Sequence, residues 1–172
     1  MKNVWYKKSA VFIATLLLSL TVYAGPVIHR AVEPAQMLLD ITLKESNLTL
    51  YLTIPASASP LLVSNHEHKD IVSLLTEASD LWLPDADAAC TLSSHRVFHS
   101  EHEATEEIRG DIQGFYDFNC LNPQSLYSIR PNVLNTLPGL KQLNIWLTTD
   151  NWQNKQSLII PGDGNIAIKP GS

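Results

Sequence analysis

The chain has 172 residues, with 17 acidic and 12 basic side chains and a formal net charge of −5 at neutral pH. This balance argues against a nucleic-acid-binding protein, because affinity for nucleic acid comes from neutralising phosphates. It also argues against docking on an anionic membrane surface, and it favours cations as partners.

The first 24 residues have the features of a signal peptide. Three lysines precede an uncharged stretch at 10–20, and the segment ends in Ala24, a small residue of the kind that signal peptidase requires. An uncleaved anchor is the alternative, although the apolar stretch is short for a membrane span. We therefore expect residues 1–24 to be removed on export and residues 25–172 to form a single periplasmic domain, with no stable membrane insertion.

Two alternating patterns follow, and they predict an antiparallel hairpin. Apolar side chains occupy every second position over residues 37–43 and 48–54, and Lys44–Asn47 between them is typical of a turn. A helix is predicted next. Ser64 and Glu67 match a capping box, and an apolar stripe at helical spacing runs from Ile71 to Ala78.

The second half is also dominated by strand patterns. We predict a short buried strand at 81–83, a strand at 88–92 and an exposed loop or short surface helix over 93–110. A strand over 112–120 follows, in which Gly114 indicates a bulge or a close approach of another segment.

The last third is predicted to contain a helical turn from Pro123 to Ile129, a strand around 143–147 and a late hairpin that pairs 158–160 with 166–168. Together these elements predict an α+β fold: one domain rich in antiparallel β-sheet, with one or two short helices and one disulfide.

Cys90 and Cys120 are the only cysteines. Export places them in an oxidising compartment, which favours a structural disulfide between them. Two thiolates that bind a metal ion are the alternative.

Three histidines lie close together in the sequence, at positions 95, 99 and 102. On a helix, this spacing would place His95, His99 and His102 on one face, close enough to share a metal ion, and imidazole is the commonest protein ligand for zinc and copper. An exposed polar loop with no metal is the alternative interpretation.

A second group of candidate ligands is His66, Glu67 and His68. Adjacent residues on a helix point in different directions, so these three side chains cannot all bind one ion there. Glu67 also has a predicted role in helix capping. No nucleophile elbow, His-Glu-x-x-His helix or phosphate-binding glycine loop is present, so the sequence offers no recognisable enzyme site.

The order of several short motifs along the chain resembles that in one family of bacterial periplasmic domains of unknown function. This family includes the ZrgA-like zinc-binding proteins. The resemblance runs from about Met37 to Ile168 and is carried by Leu48 to Ile54 with Pro55-Ala56, Glu67-His68, Ala89-Cys90, Tyr116-x-Phe118-x-Cys120 and Pro123. It implies a histidine-rich loop between the two cysteines that binds zinc, and a protein that works beside an inner-membrane metal transporter complex.

The chain departs from the family pattern at three places. Glu33–Gln36 stands where the family typically has a His-x-His-Gly element, Asn65-His66 replaces the usual Gly-Phe, and Arg109 stands where a histidine is common. An arginine keeps its proton and cannot bind a metal ion. The resemblance therefore implies the fold, and it leaves open whether the metal site is retained, rearranged or lost.

The leading hypothesis is a non-enzymatic periplasmic protein that binds zinc or another divalent metal ion and is accessory to zinc uptake or handling. Zinc binding by neutral imidazoles is predicted to weaken as the pH falls through about 6.5. The alternative is a metal-free interaction module of the cell envelope on the same scaffold, and a third class is a metallo-hydrolase with an open coordination position.

Overall fold

Two β-sheets, of six and three strands, make up most of the structure. The computed structural model of the chain describes residues 35–62, 70–77, 80–100, 110–160 and 164–169. The elements in these residues are β1 Gln36–Lys44, β2 Asn47–Ile54, α1 Ser59–Leu62, α2 Ile71–Glu77, β3 Trp82–Pro84, β4 Cys90–His99, β5 Ile112–Cys120, β6 Ser128–Pro131, α3 Val133–Thr136, β7 Gln142–Thr149, β8 Gln153–Ile159 and β9 Ile166–Ala167, with 3-10 turns at Ala86–Ala88 and Pro123–Ser125.

The larger sheet has the strand order β4-β5-β2-β1-β7-β8, and the smaller has the order β3-β6-β9. Every neighbouring pair is antiparallel except β1 and β7, which run parallel in the middle of the larger sheet. The predicted antiparallel-rich α+β fold is therefore confirmed. The α-helices in the described residues are short, as predicted, although there are three of them and the prediction was one or two.

One face of the larger sheet forms the core, and alternation along the strands explains why. Leu39 and Ile41 of β1 and Leu50 and Leu52 of β2 are essentially inaccessible to solvent, and the residues between them are not. Side chains on a strand alternate between its two faces, so this pattern places one apolar face inward. The same core cluster includes residues of the smaller sheet, among them Trp82, whose ring meets Tyr116 edge-on with centroids 6.0 Å apart.

Several local predictions are confirmed by these elements. β1 and β2 form the predicted hairpin, in which Lys44 pairs with Asn47. The predicted helix corresponds to α2, and its proposed capping box lies outside the described residues. Gly114 marks a close approach, since a Cβ at that position would lie 3.3 Å from Cδ2 of Leu52.

Three local predictions are wrong. Residues 93–99 are not loop or helix, because β4 continues to His99 and pairs with β5 on both sides of a register shift between Leu92 and Ser94. Pro123 opens only a 3-10 turn, and β6 follows it. The late hairpin does not form in the described residues, because β9 pairs with β6 in the other sheet. The contact between β8 and β9 is made by a side chain instead. The amide of Gln156 donates a hydrogen bond to the carbonyl of Ala167 and accepts one from its N–H.

The predicted disulfide is confirmed. Cys90 and Cys120 lie directly opposite each other on β4 and β5, and their sulfur atoms are bonded. Both thiols are consumed, so the alternative of two thiolates on a metal ion is wrong. The bond joins β4, which is an edge strand of the larger sheet in the described part of the chain, to its neighbour β5. Within the described residues, no helix has the length and apolar character needed to cross a membrane.

Candidate metal-binding site

Two of the candidate histidines lie on β4, at the edge of the larger sheet. His95 is opposite Tyr116 and His99 is opposite Ile112, and both partners on β5 are buried. Because positions separated by four share a face of a strand, both rings lie on the core side of β4. The strand rise places their Cα atoms about 13 Å apart.

The distance between His95 and His99 on the strand is too large for the site that the helical spacing predicted. A helix would have brought His95 and His99 to adjacent turns, and the strand separates them by more than twice that distance. The two rings also bind different backbone carbonyls, described below. In the part of the chain that the structure describes, no three His, Cys, Asp or Glu side chains are grouped closely enough to hold a metal ion. A helix through His95 and His99 is therefore wrong, because both lie on β4, and the position of His102 is outside the described residues.

His95 connects β4 to the end of α2. Its Nε2–H donates to the carbonyl of Thr76 at 3.0 Å, and its ring lies parallel to that of Tyr116 with centroids 6.1 Å apart. The hydroxyl of Tyr116 donates to the preceding carbonyl, that of Leu75, at 3.2 Å. The carbonyls in the last turn of a helix have no partner within the helix. The two rings satisfy two of them and hold α2 against the sheet.

Tyr116 keeps its proton in this position. Burial raises the pKa of its hydroxyl far above the usual 10, since the phenolate would have to exist away from water. The group therefore acts as a neutral donor to Leu75 at all ordinary pH values.

His99 is the last residue of β4 and has a different environment from His95. Its Nδ1–H donates to the carbonyl of Gly110 at 3.2 Å. Its Nε2 is shielded from solvent and has no hydrogen-bond partner among the described residues. Because a carbonyl can only accept, Nδ1 must carry the proton, and Nε2 is left with a free lone pair. A histidine that binds a metal ion has this tautomer, with one nitrogen donating to a carbonyl and the other facing the ion.

The backbone around His99 is held in place by its neighbours. The N–H of Ser100 donates to the carbonyl of Asp111 at 2.7 Å, and the Asp111 side chain accepts the N–H of Ala56 at 2.9 Å. A Cβ on Gly110 would collide with the carbonyl oxygen of Ser100, so only glycine fits there. The carbonyl that orients His99 is therefore fixed before any ligand arrives.

The remaining candidate ligands, His66, Glu67, His68 and His102, lie outside the described residues. Three of them belong to the segment between Leu62 and Asp70, and His102 belongs to the segment between Ser100 and Gly110. Their roles stay predictions.

A cavity of about 320 Å³ lies elsewhere, beside α3 and the smaller sheet. It is lined by Arg130, Pro131, Asn132, Leu134, Asn135, Gly164 and Asn165. Carboxamides, a guanidinium and apolar groups offer no metal ligand of the kind zinc prefers. The cavity therefore does not compete with His99 as a candidate metal site.

The orientation of His99 could not have been found from histidine spacing alone. The informative signal is the parity of the strand: His95, Val97 and His99 alternate with Arg96 and Phe98. Extending the strand pattern of 88–92 through these residues would have predicted a strand with both histidines on one face. It would have placed them on the outer face, because Cys90 and Leu92 lie opposite buried residues, and the register shift between Leu92 and Ser94 turns both histidines inward.

The fold and this candidate site define a class of protein: an antiparallel-rich, disulfide-linked β protein. Its edge strand β4 carries a histidine with one buried ring nitrogen that has no hydrogen-bond partner among the described residues. Residues 31–161 match the ZrgA family, which is described as a zinc uptake protein family. The match covers well over half of the chain, so the chain belongs to this family, and the resemblance seen in the sequence is confirmed. The chain is therefore a protein related to zinc uptake. No curated protein matches the chain.

Proposed function

We propose that this chain is a periplasmic zinc-binding protein that is accessory to zinc uptake or handling and is not an enzyme. The family description supports the link to zinc, and the signal-peptide features of residues 1–24 support export. Residues 25–172 would be the mature domain, with a net charge of −8 from 17 acidic and 9 basic side chains. An acidic protein is compatible with a cationic cargo.

The observation that carries the proposal is the free Nε2 of His99. A buried polar atom without a partner is uncommon and calls for an explanation. Here the other ring nitrogen is held by a backbone carbonyl, and zinc binds neutral imidazole nitrogen. His99 would therefore be one ligand of the cargo ion.

Zinc needs further ligands, and the candidates are the histidines and the glutamate that the sequence identifies. His102 follows His99 by three residues in the chain, and His66, Glu67 and His68 precede α2. His95 is a separate candidate, because it lies in the middle of β4, four residues before His99, and its ring contacts a different carbonyl. Arg109 and the missing His-x-His-Gly element predict that the ligand set differs from that of typical members. A neighbouring inner-membrane metal transporter complex would take the ion from this protein.

Isothermal titration of the mature protein with zinc tests the proposal. We expect a dissociation constant below about one micromolar, which corresponds to about 8 kcal/mol. His99→Ala should weaken binding at least tenfold, because it removes a ligand whose orientation is already fixed. His29→Ala is the matched control, since it removes a histidine that the sequence does not place among the ligands.

Two outcomes would contradict the proposal. Zinc binding weaker than micromolar in the intact protein would leave the metal-free interaction module as the better account. Equal effects of His99→Ala and His29→Ala would remove His99 from the site. Copper and nickel, titrated in parallel, would establish which ion the imidazoles prefer.

A further inference from the structure

A single row of side chains crosses the outer face of the larger sheet, which is the face turned away from the core. Strand pairing places one residue of every strand in this row, and each is directly opposite the next. In strand order, the outer row consists of Arg96, Phe115, Tyr51, Asp40, Trp146 and Lys155.

The outer row has a cation at each edge, and each cation lies over an aromatic ring. The guanidinium carbon of Arg96 is 4.8 Å from the centroid of Phe98 and 5.7 Å from that of Phe115. At the opposite edge, Nζ of Lys155 is 5.0 Å from the centroid of Trp146. These contacts restrict two long side chains, so that less conformational entropy is lost when either charge meets a partner.

The rows on either side are mostly polar. One consists of Ser94, Asp117, Thr49, Thr42, Thr148 and Gln153, and the other of Phe98, Gln113, Thr53, Leu38, Asn144 and Ser157. Aromatic residues and arginine are enriched at the energetic centres of protein interfaces, and polar residues form the surrounding rim. The outer face has this anatomy, with the aromatic and cationic row in its middle.

Sheet stability alone explains only part of this arrangement. Cross-strand aromatic pairs such as Tyr51 and Phe115, whose rings stack at 4.6 Å, stabilise a sheet by up to about 1 kcal/mol. Arg96 and Lys155, however, are exposed on edge strands of an otherwise acidic protein. Their placement at both ends of one aromatic row is what a partner with matching charges would recognise.

The size of the outer face is also suitable for a protein partner. Six strands span about 24 Å and the nine residues of β1 span about 27 Å, which gives a footprint of several hundred square ångströms. A standard interface takes about 800 Å² of accessible surface from each partner. The face is therefore large enough to be most of one side of such an interface.

A second copy of this chain fits the outer face poorly. If the two-fold axis lies along the strands, Arg96 of one copy faces Lys155 of the other at both edges. If the axis lies along the outer row, Arg96, Asp40 and Lys155 each face their own copy. Like charges oppose at both edges in either arrangement, and such contacts are unfavourable.

We infer that the outer face docks a protein partner whose surface carries carboxylates about 24 Å apart, matching Arg96 and Lys155. Aromatic or apolar side chains between those carboxylates would pack on Phe115, Tyr51 and Trp146. This inference does not depend on zinc binding at His99, because the two histidines of β4 lie on the opposite face of the sheet.

In-cell photo-crosslinking of the full chain, expressed in its host, tests the inference. The photoreactive amino acid benzoylphenylalanine replaces Thr42, which is exposed beside the outer row. In a parallel protein it replaces Asn135, which is exposed on α3. We expect a protein adduct from position 42 and not the same adduct from position 135. The partner peptide, identified by mass spectrometry, should contain at least two Asp or Glu residues.

Charge reversal in the outer row tests whether its two cations are needed for the adduct at position 42. Arg96→Glu with Lys155→Glu should reduce the adduct at least tenfold, and zinc affinity measured on the purified protein should stay unchanged. Arg130→Glu with Lys141→Glu is the matched control, because it makes the same charge change at exposed cations outside the outer face, and it should leave the adduct within twofold.

Four results would overturn the inference. They are no protein adduct at position 42, an adduct that contains only this chain, an adduct with lipid, and an adduct that survives the Arg96 and Lys155 reversal.

Discussion

The two faces of β4 differ in the kind of contact they make. On the inner face, His95 and His99 donate to backbone carbonyls of neighbouring segments, and one ring nitrogen of His99 has no hydrogen-bond partner among the described residues. On the outer face, Arg96 and Phe98 contact aromatic side chains of the same sheet; Arg96 is exposed to solvent and Phe98 is half-buried. One strand can thus contribute to an ion site and to a docking surface without conflict, because alternation separates the two sets of side chains.

Removal of the disulfide should affect both faces and have the largest effect. The bond closes a loop between residues 30 apart, and the chain-entropy relation gives about 3–4 kcal/mol of stabilisation for such a loop. We expect Cys90→Ala with Cys120→Ala to lower the free energy of unfolding by that amount in urea titration. Because β4 is an edge strand, zinc binding and the position 42 adduct should both weaken. A loss below about 1 kcal/mol would contradict the role assigned to the bond.

Gly110→Ala should affect the inner face of β4 and leave the outer face unchanged. The new Cβ would collide with the Ser100 carbonyl, and misplaced atoms in a tight region cost about 1–3 kcal/mol. The displaced Gly110 carbonyl would release His99, so we expect zinc affinity to fall and the position 42 adduct to persist.

Ser100→Ala is the control for this change, because it keeps the backbone and removes only the hydroxyl. Unchanged zinc affinity in Gly110→Ala would mean that the carbonyl does not orient His99.

Two tyrosines, one on each face, give a matched pair. Tyr116→Phe removes a buried hydroxyl that donates to Leu75, which should cost about 1 kcal/mol or more because a carbonyl is left without its donor. Tyr51→Phe removes a hydroxyl from the half-buried outer face and should change stability by less than about 0.5 kcal/mol. Chemical denaturation of both variants measures the difference, and equal effects would contradict it.

The same pair predicts a pH dependence. Burial raises the pKa of the Tyr116 hydroxyl above its unfolded value of 10.0. The unfolded state therefore loses this proton first as the pH rises, and stability falls above about pH 10. Tyr116→Phe should show a smaller loss between pH 9 and 11 than Tyr51→Phe, as measured by thermal unfolding across that range. Parallel curves would contradict the assignment.

A small effect on stability is also expected at the edge of the outer face. Arg96→Ala removes a cation from above Phe98 and Phe115, and exposed contacts of this kind contribute about 0.5–1 kcal/mol. We expect a loss in that range in urea titration, with zinc affinity unchanged. A loss of zinc affinity would show that the two faces are coupled.

The sequence by itself determined which side chains face inward on most strands. Alternation over 37–43 and 48–54 predicted β1, β2 and their hairpin, because a strand with one buried face requires apolar residues at every second position. The pair Cys90 and Cys120 predicted the disulfide, since the export signal indicated an oxidising compartment. The period of 3.6 residues around Ile71 predicted α2 for a similar reason.

Only the tertiary structure decided which strands pair, and the candidate site depends on that pairing. The parallel pair of β1 and β7 joins residues about a hundred positions apart, and β9 pairs with β6 instead of β8. Because these contacts depend on register between distant segments, no local pattern contains them. The polar residues 93–99 became a strand because β5 offers them hydrogen bonds, and that pairing alone placed His99 beside Gly110 and Arg96 at the end of the outer row.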